Sequence, residues 1–126
     1  MPKKSRKPNL VVDFDGTIQT YASGWQGPDN IPDPPTKDVK KALDILKNSF
    51  RIIIFSVRAE TEEGAKGIEA YMEKHNLYYD KIQITKPIGL IIDDNCIRFE
   101  GDWSKTLQQI ADFQHWQKKE KKAKHE

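Results

Sequence analysis

Residues 10–19 read "LVVDFDGTIQ": three apolar residues run into Asp13 and Asp15, with Phe14 between them and Gly16 and Thr17 directly behind. Successive side chains of a strand point to opposite faces, so the two aspartates share one face while Phe14 turns the other way, into a core. A strand "NLVVDF" ending in paired carboxylates is the predicted first element. Gly16 allows the chain to leave the strand sharply, and its turn is expected to present free backbone N–H groups.

The same pattern recurs downstream. "RIIIFSV" is a second buried strand ending at Ser56, and "IGLIIDD" a third apolar run ending at Asp93 and Asp94. Between them stands "KIQIT", with Lys86 just after it. The link from "KIQIT" to "IGLII" is too short for a parallel crossover, so "KIQIT" is expected to fall short of a full sheet strand. Helices are predicted in the intervals. "TKDVKKALDILKNSF" starts at an N-cap, Thr36, with Val39, Ala42, Leu43 and Leu46 inward. "TEEGAKGIEAYMEKH" turns Ile68, Tyr71 and Met72 inward but is weakened by two glycines. "SKTLQQIADFQHWQKK" turns Leu107, Ile110 and Ala111 inward. Alternating strands and helices, with strands apolar on both faces, predict an α/β fold: a Rossmann-like three-layer α/β/α arrangement on a mostly parallel sheet.

The 126 residues suit one domain with a real core and leave no room for a large lid. Four positive charges fall within residues 1–7 and five lysines within 118–126. Residues 8–117 hold 12 basic and 17 acidic groups, a net of −5. The expected organisation is a basic N-terminal tail (1–8), one domain (9–117) and a basic C-terminal tail (118–126). Such tails are either solvated ends or a means of reaching phosphate backbones. Residues 18–35, with two glycines and four prolines, read as a loop or flap over the site. The apolar runs are too short to cross a bilayer, the first residues lack an apolar signal, and a single cysteine, Cys96, excludes an internal disulfide. A cytoplasmic protein, without membrane association, is the expectation.

In an open parallel sheet, ligands bind beyond the carboxyl ends of the strands. Asp13, Asp15, Asp93, Asp94, Ser56 and Lys86 would converge there. Four carboxylates so close need a cation, and an all-oxygen donor set favours Mg²⁺, which completes its shell with water and substrate phosphate. At a strand end Asp13 can be aimed at a phosphorus, with Asp15 near the leaving-group oxygen as acid and base.

"DFDGT", a strand-end serine, an isolated lysine and a strand-end "DD" resemble the four motifs of the haloacid dehalogenase superfamily of phosphohydrolases. The likeness to its small, cap-less phage and bacterial members covers roughly residues 9–112. Asn95 follows the aspartate pair where such relatives often carry arginine. The resemblance implies a Mg²⁺-dependent phosphatase acting on phosphomonoesters through an aspartyl-phosphate. Asp13 would be the nucleophile, Asp15 the acid/base, Ser56 a phosphoryl-binding hydroxyl and Lys86 a charge stabiliser. The metal ligands would be Asp13 through its backbone or side chain, Asp15 through its carbonyl, and Asp93 with Asp94 as a second contributor. Gly16, Thr17, Arg58 and Trp25 are candidate substrate contacts; Arg58 could equally form a surface ion pair with Glu62, and Trp25 could pin the flap rather than stack on a base.

The expected substrate is a small phosphorylated metabolite, such as a nucleotide, or a phosphorylated nucleic-acid end such as a 3′-phosphate. The chain is expected to be a monomer or small homo-oligomer. A catalytically silent phosphate- or nucleic-acid-binding protein is the rival reading, and a dehalogenase, which needs no metal pair, is the third. His75 and His115 have no partners at metal-ligand spacing and read as surface or satisfied histidines.

Overall fold

The computed structural model of the chain describes residues 7–84, 86, 89–90 and 92–124, the side chains of 114–124 excepted. Three strands form a parallel sheet in the order β1 (Asn9–Asp13), β2 (Arg51–Phe55), β3 (Lys81–Gln83). Asp13 is the Cα partner of Phe55, and Phe55 of Gln83, so the carboxyl ends of all three strands are level. The crossovers are α1 (Val39–Leu46) and then a 3₁₀ turn (Val57–Glu60) with α2 (Glu62–Lys74); α3 (Trp103–Lys124) follows β3.

The strands form where β-branched and aliphatic residues run without a breaker. Val12, Ile52 and Ile54 are buried, and they join one cluster with Val39, Ala42, Leu43 and Leu46 of α1, Ile68, Tyr71 and Met72 of α2, and Trp103 and Ile110 of α3. The inward faces expected of α1 and α2 are therefore those observed. Phe14 meets Tyr71 edge to face, centroids 5.3 Å apart, an arrangement that adds about 0.5–1.5 kcal/mol beyond burial. Val11 is one residue off this register, points to the opposite face and is 50% exposed. Its strand partner Ile53 is buried, so among the described residues the second face is covered at β2 and only half covered at Val11.

Several local expectations are corrected. Helix α1 begins three residues later than its expected cap: Asp38, in the left-handed region at φ 66°, precedes it, and Thr36 serves a tertiary contact instead. The Thr36 hydroxyl donates to the Thr17 carbonyl (2.7 Å) and accepts from Trp103 Nε1 (3.0 Å). "KIQIT", by contrast, falls short of a full strand as expected: β3 covers only its first three residues. Of the "IGLII" run, Ile88 and Ile91 lie outside the described residues; the described residues between Gly89 and Asp94 lie in no strand, and Leu90 and Ile92 are each 96% exposed. Among the described side chains of α3 the buried ones are Trp103, Thr106 and Ile110, with Leu107 partly buried, while Ala111 is exposed. The segment expected as a C-terminal tail continues α3 to Lys124. Residues 1–6 of the N-terminal tail and the side chain of His115 lie outside the described residues. Among the described residues no helix is long and apolar enough to cross a membrane.

Candidate active site

Strand β1 delivers Asp13 to the carboxyl edge of the sheet, and Gly16, at φ +81°, turns the chain back at once. That turn spends its own donors. Gly16 N–H donates to the Gln19 carbonyl (2.9 Å) and Thr17 N–H to the Phe14 carbonyl (3.3 Å). The amides expected to face a phosphate are thus used in closing the turn.

Lys86 Nζ meets Asp13 Oδ1 at 2.6 Å and stands 5.0 Å from the centre of the Phe55 ring. The pair is only partly exposed on either side. Burial pushes the Asp13 carboxyl above its ordinary value; the hydrogen bond and charge of Lys86 and the Phe14 amide pull it down without cancelling that effect, and Asp15 adds a small upward push. A carboxylate left in this state favours a further positive charge beside it.

Asp15 has a different set of partners. Arg58 Nε donates to both of its oxygens (2.9 and 3.1 Å), and Gln19 Nε2 to Oδ1 (2.7 Å). Arg58 is 1% exposed. Its Nη1 donates to the Gly27 and Pro28 carbonyls (2.7 and 3.0 Å), and its guanidinium carbon lies 4.6 Å from the centre of the Trp25 ring. Arg58 is therefore not in a surface pair with Glu62, which is bonded to Lys66. Trp25 does pin the loop, but it is also 50% exposed.

Ser56 is buried next to Phe55, the strand partner of Asp13. Its hydroxyl oxygen accepts from the Arg58 amide (3.2 Å) and so caps the 3₁₀ turn. Asp93 accepts from the Asn95 amide (2.9 Å), and both Asp93 and Asp94 are exposed. The structure thus brings together Asp13, Asp15, Ser56, Arg58 and Lys86, with Trp25 at the margin. It does not bring Asp93 and Asp94 to them: among the described residues no three His, Cys, Asp or Glu side chains could jointly hold a metal ion.

Sequence reasoning missed the framework that fixes the loop. Gln19 is buried, bonds Asp15 and accepts from the Tyr21 amide (2.8 Å) through Oε1. Buried Asp33 takes the Ser23 amide (2.8 Å) and hydroxyl (2.7 Å), while its carbonyl accepts from Tyr71 Oη (2.8 Å). The two glycines of α2 are contact points. A Cβ on Gly64 would lie 1.7 Å from the Arg58 carbonyl oxygen, and one on Gly67 would lie 2.8 Å from Asp29 Cα. Two glycines spaced by three in an otherwise strong helix were the available signal.

Comparison with protein-family models, curated proteins and solved structures finds no match to this chain.

Proposed function

We propose that the protein is a Mg²⁺-dependent phosphatase of the haloacid dehalogenase type, with a Rossmann-like α/β/α fold, acting on phosphomonoesters through an aspartyl-phosphate on Asp13. The observation that carries this reading is the Lys86–Asp13 ion pair at the carboxyl edge of a parallel sheet, with a second aspartate two residues on. A lysine on the nucleophile steadies both that carboxylate and the phosphoryl oxygens drawn to it.

In the first step an Asp13 oxygen attacks phosphorus, the bond from phosphorus to the ester oxygen breaks, and Asp15 gives its proton to that oxygen. In the second, water attacks the phosphorus as Asp15 takes its proton. The bond to Asp13 then breaks and inorganic phosphate leaves. The Asp13 carboxylate and the Asp15 backbone carbonyl suit a cation that takes only one or two carboxylates from the protein. The desolvation that raises the Asp13 carboxyl supports that fit. When bound, Mg²⁺ would neutralise charge on the transferring group. Asp93 and Asp94 are proposed as further ligands only in a conformation that draws them inward.

Trp25, half exposed beside Arg58, favours a substrate with a flat group near its phosphate: a nucleotide or a nucleic-acid 3′-phosphate end. A phosphate- or nucleic-acid-binding protein without turnover is the second reading. It is favoured by one observation, that Asp93 and Asp94 are not gathered with Asp13 and Asp15.

The test is phosphate release, with Mg²⁺ and with chelator, from a 3′-phosphorylated oligonucleotide and a panel of nucleotides and sugar phosphates, comparing wild type with Asp13→Asn. Release that needs both Mg²⁺ and Asp13 supports the phosphatase. No release from any member moves the binding reading to the front.

A further inference from the structure

We infer that Arg58 is a positioning residue that makes the orientation of Asp15 depend on the docking of the 18–35 loop. The inference rests on the phosphatase reading for its catalytic consequence, but the linkage itself is a matter of geometry. One buried guanidinium joins Asp15 to the far side of the 18–35 loop. Its Nε is shared by both Asp15 oxygens, while Nη1 is shared by the carbonyls of Gly27 and Pro28. A planar guanidinium cannot tilt toward one set of acceptors without moving relative to the other.

The loop end of this link is held by further contacts. Trp25 packs on the guanidinium, and Asp29 lies against Gly67 of α2 closely enough that a methyl group could not fit between them. The Asp15 end is held by Gln19, which also accepts from the Tyr21 amide within the loop. Asp15 is therefore gripped from two sides by groups tied to one segment. Displacing the loop would release both grips, and Asp15 would lose the orientation in which its proton meets a leaving oxygen. Since Trp25 is the exposed part of this assembly, a substrate resting on it would press the loop against Arg58 and keep Asp15 aligned.

An acid held in this way matters in proportion to how much the leaving group needs a proton. The experiment compares kcat for an alkyl phosphate, a poor leaving group, with kcat for p-nitrophenyl phosphate, which departs without protonation. Wild type, Arg58→Gln, Arg58→Lys and Gly67→Ala are measured with Mg²⁺. The expected result is a loss of about 10²-fold on the alkyl ester in Arg58→Gln, against about twofold or less on the aryl ester. Arg58→Lys should recover part of the loss. Gly67→Ala, which touches neither Asp15 nor Arg58, should show the same selectivity in weaker form. Equal losses on both esters in all three variants would overturn the inference and reduce Arg58 to a structural group.

Hydrogen exchange in Asp15→Asn supplies a readout without turnover. The Tyr21, Ser23 and Gly24 amides, bonded to Gln19, Asp33 and Tyr21, should exchange several-fold faster than in wild type. Unchanged exchange at those amides would also overturn the linkage. If wild type releases phosphate from neither ester, the phosphatase reading fails by itself, and exchange alone decides whether Asp15 and the loop are coupled.

Discussion

Lys86 and Asp13, 73 positions apart in the chain, meet at 2.6 Å beyond the carboxyl end of the first strand. Asp15, two residues further on, is bound instead to buried Arg58. Two neighbouring carboxylates thus have different cations and different degrees of freedom. A flexible ammonium attends the one proposed to form a bond, and a rigid fork holds the one proposed to move a proton.

Removing the ammonium should impair chemistry more than binding. Lys86→Met is expected to lower kcat by roughly 10²–10³-fold, the scale of losing one preorganised charge on a developing anion. KM should change much less. Steady-state kinetics on any ester that wild type turns over would check this. A purely higher KM would instead make Lys86 a ground-state phosphate binder.

The raised Asp13 carboxyl makes a prediction about stability with a definite sign. Its folded value lies above the 3.8 of the free group, chiefly through burial. The ionised form therefore opposes folding, and its contribution is most favourable below 3.8 and is lost as pH rises through the folded value. Asp13→Asn should consequently be more resistant to urea than wild type at neutral pH. That advantage should vanish as the pH falls below 3.8. Urea midpoints measured across the acid range test it, and an Asn variant less stable at neutral pH would contradict the desolvation argument.

Gly64→Ala should be destabilising although alanine is the better helix former. Its methyl group would lie 1.7 Å from the Arg58 carbonyl oxygen, a backbone atom that cannot swing away. Forcing that contact costs about 1–3 kcal/mol or more, which exceeds the gain of up to ~1 kcal/mol in helix propensity. A fall in thermal midpoint is the expected outcome, with loss of the Arg58–Asp15 contact as its local consequence.

What the sequence made legible follows from what periodicity can report. An uninterrupted apolar run ending at Asp13 identifies β1, a second ending at Phe55 identifies β2, and the inward faces of α1 and α2 follow from helical spacing. At Leu90 and Ile92, the described apolar residues of "IGLII", the same rule does not hold: a short apolar run reveals hydrophobicity but not a pairing partner, and both are almost fully exposed. It also fails for Ala111: small and weakly apolar, it carries little weight against Trp103, whose indole reaches Thr36 and sets which side of α3 is buried. Asp13, Asp15 and Ser56 were legible as strand-end polar groups, and Lys86 as an isolated lysine just before an apolar run. The contacts of Arg58 were not: Asp15 is 43 residues away, and its other partners are backbone carbonyls 30 and 31 residues away, which leave no trace in residue type.

The central claim is that Asp13 forms a bond to phosphorus. Its most direct test is the intact mass, followed by peptide mapping, of Asp15→Asn protein mixed with Mg²⁺ and a phosphomonoester of good leaving group. Without the base that activates water, the intermediate should accumulate, giving one added phosphoryl group on Asp13 that disappears in the double variant Asp13→Asn, Asp15→Asn. Phosphate release by wild type with no adduct on Asp13 under these conditions would contradict the claim and point to direct attack by water.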